Sequence, residues 1–108
     1  MTEESLLDNE ILVGTVQEAE QFEECRKEEM LKLWIDLGEE QVQSAAQLAA
    51  HHEPDELEGS QVLCATDLGT VNIAGFESQV LTLGVPAEDG YPVAIRPDRD
   101  VPNGGRLH

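Results

Sequence analysis

Leu31, Leu33, Ile35 and Leu37 alternate strictly with Lys32, Trp34 and Asp36, the two-residue period of a strand with one buried face. The surrounding stretch from Gln17 to Leu37 is rich in Glu, Gln, Lys and Met, with Gly38 placed as a C-terminal cap, and by propensity alone would read as helix. The alternation decides for a strand over Met30 to Leu37, preceded by a charged loop over Glu23 to Glu29. Upstream, β-branched Ile11, Val13, Thr15 and Val16 predict a strand from Ile11 to Ala19, with Gly14 as a bulge or close-packing point. Thr2 followed by Glu3 and Glu4 predicts a short N-terminal helix ending near Asn9.

Further along, Gln41 to Ala46 reads as a short strand running into an Ala-rich helical turn through Ala50. Pro54-Asp55-Glu56-Leu57 before Gly59 reads as one more helical turn. Three strand-like runs follow, Gln61 to Leu68, Val71 to Phe76 and Gln79 to Gly84, with turns expected at Asp67-Leu68-Gly69 and Glu77-Ser78. Ala87-Glu88-Asp89-Gly90 is a turn before a last run, Tyr91 to Ile95, and Pro97 to Gly105 reads as an extended tail. Short strands at close spacing with little helix predict an all-β fold, a closed or nearly closed barrel without exposed sheet edges.

Composition fits one domain spanning residues 1–108, with 40% hydrophobic residues but only 4% aromatics, so the core must be aliphatic. No apolar run reaches the roughly 18 residues of a membrane-spanning helix. The acidic N-terminus is unlike a signal peptide, so the expected setting is soluble and cytoplasmic, without a membrane partner. Twenty-three Asp and Glu against 6 Lys and Arg give a net charge of −17. The acids lie among apolar stretches instead of in a tail, which predicts a folded domain with an acidic skin. Such a skin keeps proteins soluble in molar salt, where self-repulsion is screened, and the expectation is a halophilic source. The alternative is an ordinary acidic cytoplasmic protein. Cys25 and Cys64, distant and without a CxxC partner, read as reduced side chains.

The run Ile73-Ala74-Gly75-Phe76-Glu77-Ser78-Gln79-Val80-Leu81-Thr82-Leu83-Gly84 resembles the last barrel strands of the CsaA-like tRNA-binding proteins. These belong to the wider group of OB-fold domains attached to methionyl-tRNA synthetases. Pro97-Asp98-Arg99-Asp100-Val101-Pro102-Asn103-Gly104 looks like the family's C-terminal extension. Weaker matches are Val13-Gly14-Thr15-Val16, Ile35-Asp36-Leu37-Gly38, Gln43-Ser44-Ala45-Ala46-Gln47 and Pro54-Asp55-Glu56-Leu57. The resemblance implies a five-stranded OB-fold barrel with a short N-terminal helix, a short helical turn between strands 3 and 4, and a C-terminal extension. It further implies a homodimer, binding of tRNA or of unfolded or preprotein polypeptide in an export-chaperone role, and no catalysis. The family's basic positions are altered: Val71 and Asn72 stand where it carries a basic pair, Ala50, His51 and Glu53 where basic residues follow its serine-glutamine strand, and Leu12 near an expected arginine.

Nucleic-acid affinity usually comes from phosphates meeting Lys and Arg with counterion release. Six cations cannot form a broad basic stripe, although Arg26, Lys27 and Lys32 can cluster, and Arg96 and Arg99 form a second pair. OB folds also stack bases on aromatics across their middle strands. Trp34 points away from the Leu31–Leu37 stripe and is the candidate platform; the alternative is that it packs in a dimer contact or under a loop. Within the matched segments Ser44, Gln47, Asn72, Ser78 and Gln79 are the polar candidates for reading base edges or a peptide backbone. The ordinary alternative is turn capping for Ser78 and a strand-to-strand bond for Ser44. His51-His52-Glu53 invites a metal reading, yet adjacent helical residues point about 100° apart and no zinc spacing is present. Nor is there a GxxxxGK[ST], a GxGxxG or a nucleophile elbow. Neither an enzyme nor a cofactor is expected.

Overall fold

The computed structural model describes residues 8–108. The expected N-terminal helix, Thr2 to Asn9, lies almost wholly outside them. Strands β1 (Ile11–Gln21), β2 (Leu31–Asp36), β3 (Gln41–Ala46) and β4 (Gln61–Ala65) carry the fold, with one helical turn, α1 (Pro54–Leu57), between β3 and β4. Short strands β5 (Val71–Ile73), β6 (Phe76–Ser78), β7 (Leu81–Thr82), β8 (Gly84–Pro86) and β9 (Pro92–Ala94) complete it. The main sheet is antiparallel in the order β3-β2-β1-β4-β7. It curls until β6 and β7 come back against β3, giving a nearly closed five-stranded barrel of the OB kind.

The strand reading of Leu31 to Leu37 holds because its stripe fills the barrel: Leu31, Leu33 and Ile35 are fully buried and Leu37 nearly so. They pack with Val16, Val42, Leu48, Leu57, Val62 and Val80. Gly14 proves a close-packing point, since a Cβ there would lie 2.5 Å from Ile35 Cγ2 and 2.8 Å from Leu37 Cδ2. The bulge sits instead between Val16 and Glu18, where the β1–β2 register shifts and the long strand bends from one neighbour to the next. The first half of β1 pairs with β4 and the second half with β2. The tail occupies the edge this leaves open, with Val13 N–H donating to Gly105 O and Leu107 N–H to Ile11 O, both at 2.9 Å.

Two expected strands are broken. The run Val71 to Phe76 is a hairpin, β5–β6, turning at Ala74-Gly75 with φ of 49° and 86°. Left-handed conformation at both central residues matches the right-handed strand twist in a two-residue turn. Glu77 and Ser78, expected to turn, lie within β6. The run Gln79 to Gly84 divides into β7, which joins the main sheet, and β8, which leaves it to pair with β9. The strand expected to reach Leu68 ends at Ala65, where Asp67 accepts from the Glu10 amide at 2.9 Å. That bond is the main reason the Asp67 carboxyl is held below its usual range.

Candidate nucleic-acid interface

Because side chains alternate across β2, residues between the core positions must face outward. Trp34 and Lys32 do so, paired in register with Gln43 and Ala45 of β3 and with Glu18 and Glu20 of β1. They are not left bare. The β5–β6 hairpin folds over this face and brings Phe76 against it; Phe76 stands edge-on to Trp34 and to Phe22, with ring centroids 5.6 Å apart in both pairs. Met30 and Ala45 complete a second, smaller apolar cluster on the outside of the barrel, with Cys25, Trp34 and Ile73 at its margin. Trp34 stays half-buried, with part of its surface open to solvent. Edge-to-face contacts of this kind fix ring orientation, so the tryptophan is a pre-set surface.

Lys32 is spent locally. Its Nζ lies 4.9 Å from the Phe22 centroid and 5.5 Å from that of Phe76, and 3.6 and 3.9 Å from carboxylate oxygens of Glu24 and Glu20. The ion pairs are half-exposed and contribute little, but rings and carboxylates together enclose the ammonium. Arg26 is exposed on the loop between Phe22 and Met30, beside Cys25 of the same cluster. Gln47, just beyond β3, donates from Nε2 to Glu28 O at 3.2 Å and ties that loop down. Thus Lys32 and Trp34 share one face, and Gln47 fastens beside it the loop that carries Arg26.

The other polar candidates have structural partners. Ser44 and Ser78 are buried. Ser44 Oγ donates to Val80 O at 3.1 Å and accepts from Thr82 Oγ1 at 2.8 Å, while Ser78 Oγ accepts from the Ala45 amide at 3.0 Å. Gln79 Oε1 accepts from the Gln43 amide at 2.9 Å, and its own amide donates to Gln43 O. These bonds stitch β3 to the β6–β7 segment where no regular ladder runs. Asn72 Oδ1 accepts from Gly75 N at 3.1 Å and fastens the hairpin turn. The surface-facing role expected for Ser44 and Ser78 does not fit their burial, because their hydroxyls point into the closure of the barrel. Phe22 and Phe76 are the residues sequence reasoning missed. Two of the few aromatics outside the aliphatic stripe were the available signal.

Beside this face a groove of about 440 Å³ opens between the end of β3 and β7, lined by Cys25, Lys27, Met30, Gln47, Ile73 and Leu81 among others. The altered family positions Val71, Asn72, Ala50 and His51 are exposed and carry no fixed positive charge. Of the two thiols, Cys25 is half-buried and Cys64 fully buried, neither in a disulfide. Burial pushes Cys64 up to about 11 against a smaller opposing effect of a Thr82 hydrogen bond.

A family model described as "Putative tRNA binding domain" matches residues 11–106. The chain belongs to the tRNA-binding domain family. Membership covers every strand described above. Among curated proteins, the chain is similar to methionine--tRNA ligases, at 37% identity over 92% of the chain for Methanococcoides burtonii and 35% over 99% for Bacillus subtilis. It spans only 14% and 16% of those relatives' lengths. Among solved structures it matches a chaperone CsaA from Bacillus anthracis at 33% identity and a TM-score of 0.85, covering 100% of this chain and 98% of that one. A CsaA chaperone protein from Picrophilus torridus matches at 28% identity and a TM-score of 0.86, covering 100% and 99%. A MetRS related protein from Pyrococcus horikoshii matches at 28% and 0.84, covering 100% and 97%. The resemblance read from Ile73–Gly84 and Pro97–Gly104 thus extends over the whole barrel.

Proposed function

We propose that this chain is a non-catalytic, homodimeric tRNA-binding module of the cytoplasm that recognises tRNA by shape, with Trp34 as its stacking surface. The observation that carries the reading is the family match over residues 11–106, joined to a half-open tryptophan held on β2 by Phe76. Arg26, on the loop that Gln47 ties down, and Asn72 and Gln79 on the hairpin side are the polar groups assigned to this reading. Lys32 acts mainly by holding the aromatic cluster together. Phosphate contacts are few on a chain of net charge −17, so binding leans on stacking and hydrogen bonds. That balance suits high salt, where at about 1 M the Debye length is roughly 3 Å and counterion release drives little. The exposed residues Leu81, Val85, Val93 and Val101 offer apolar surface for a second copy, whose avidity would reinforce a weak single contact. Mobility-shift titration with tRNA from low to molar potassium chloride tests the reading, and absence of saturable binding throughout defeats it.

A second reading, binding of unfolded or preprotein polypeptide, rests on the groove beside β3, whose lining is largely apolar, and on the similarity to proteins described as CsaA chaperones. It predicts that the protein suppresses aggregation of a denatured client. Clients that aggregate unchanged with the protein in excess remove it.

A further inference from the structure

The β8–β9 hairpin stands apart from the barrel sheet. Its ladder is its own, Gly84 with Ala94 and Pro86 with Pro92; at its base Ile95 N–H donates to Leu83 O, and Leu83 N–H donates to Leu63 O of β4. Ala94 packs against the barrel core, and a set of titratable side chains fixes the hairpin sideways. Ala94 N–H donates to His52 Nε2 at 3.1 Å. His51 Nε2 lies 3.0 and 3.1 Å from the two carboxylate oxygens of Asp89 at the hairpin tip. Tyr91 donates to Glu28 of the loop before β2. Both histidines are mounted on a rigid turn: their amides donate to Leu48 O, and Leu48 is buried in the barrel core.

The two histidines have opposite requirements. A ring nitrogen that accepts an amide hydrogen must be unprotonated, so the Ala94 bond exists only with neutral His52 carrying its hydrogen on Nδ1. An imidazolium there would set two donors against each other. His51 Nε2 instead faces the Asp89 carboxylate, so it must carry a hydrogen to make that contact.

We propose that the β8–β9 hairpin is a proton-released flap: neutral His52 holds its strand end by accepting the Ala94 amide, and protonation of that imidazole frees the strand to swing about the Asp89 tip. The flap forms one wall of the groove beside β3, through Gly84 and Pro92, so its release changes the groove's shape. The charges around His52 are mixed in sign, with Glu56 of α1 the largest of them, and burial outweighs each. Burial lowers its proton affinity most, His51 and Arg96 lower it further, and Glu56 of α1 alone opposes. A histidine held below its ordinary value of about 6.5 favours the docked hairpin above that pH and gives up this contribution as pH falls through the lowered docked-state value. Asp89 is held low chiefly by the Tyr91 amide and then by His51, so it keeps its charge across this window and the tip stays anchored.

Hydrogen exchange of the Ala94 amide, read by NMR in constant high salt from pH 7.5 to 5, tests the proposal. Its protection factor should fall by up to about tenfold per pH unit within the transition, while the core amides of Leu33 and Ile35 keep theirs. His52→Gln, which retains an acceptor without a titration, should abolish the fall; His51→Gln should leave it. Nitrogen shifts of the wild-type imidazole at pH 7.5 supply a variant-free check: Nε2 must be the unprotonated nitrogen. An Nε2–H tautomer, Ala94 protection unchanged across the range, or a fall that persists in His52→Gln overturns the proposal.

Discussion

Removing the Ser44 hydroxyl should weaken the barrel closure and leave the binding surface intact. Ser44 is fully buried, and its oxygen both donates to Val80 O and accepts from Thr82 Oγ1. In Ser44→Ala the Val80 carbonyl keeps a second partner, Ser78 Oγ at 3.3 Å, so it is not orphaned. The buried Thr82 hydroxyl loses its oxygen acceptor and is left with the Cys64 thiol, a weak one. Stranding one buried polar group costs about 1–3 kcal/mol. For a domain of about 100 residues each kcal/mol lowers the melting temperature by roughly 4–8 °C. Thr82→Val removes the donor instead and should cost less, about 0.5–1.5 kcal/mol. The double variant, with both partners apolar, should be more stable than the sum of the singles predicts, by about 1 kcal/mol or more. Urea denaturation of the four proteins at matched salt measures the cycle. If Ser44→Ala is as stable as the parent while tRNA binding disappears, Ser44 reads ligand and the closure role assigned to it is mistaken.

Gly14→Ala should destabilise by about 1–3 kcal/mol, because its methyl would overlap Ile35 and Leu37 in a filled core; trimming Ile35 to Val in the same chain should recover part of the loss in thermal melts. Glu29 holds φ of 63°, a conformation that costs side-chain-bearing residues roughly 1–2 kcal/mol, so Glu29→Gly should raise the melting temperature. Under native conditions at pH 8 a thiol reagent should modify Cys25 and spare Cys64, with the second thiol reacting only after unfolding, as a colorimetric thiol count will show.

Strand β2 was legible because a two-residue apolar period outweighs helix-favouring composition once the stripe is buried, as Leu31, Leu33 and Ile35 are. The Pro54–Leu57 turn and β3 fell at their expected bounds, since proline and alternation act locally. The Ala74-Gly75 turn was missed because alanine rarely takes positive φ; the strain is accepted where Phe76 must turn back over Trp34. Ser44, Ser78 and Gln79 looked like surface polar residues in a strand pattern. The inward roles of Ser44 and Ser78, and the bond Gln79 makes to Gln43, depend on β3 meeting β6 and β7 across more than thirty residues of chain, which no local pattern encodes. Lys32 looked like a free cation for the same reason: its cage comes from Phe22, Phe76 and two glutamates on separate segments.

Trp34 is the chain's one tryptophan, so its emission reports directly on the surface to which binding is assigned. Fluorescence titration with tRNA over a series of potassium chloride concentrations therefore bears on the central claim. Saturable quenching is predicted, with a log K against log salt slope shallower than that of a basic binder, where each phosphate contact contributes about −0.9. Tight binding that leaves Trp34 emission unchanged would move the interface elsewhere on the barrel, and no saturable response at any salt would contradict tRNA binding by this face.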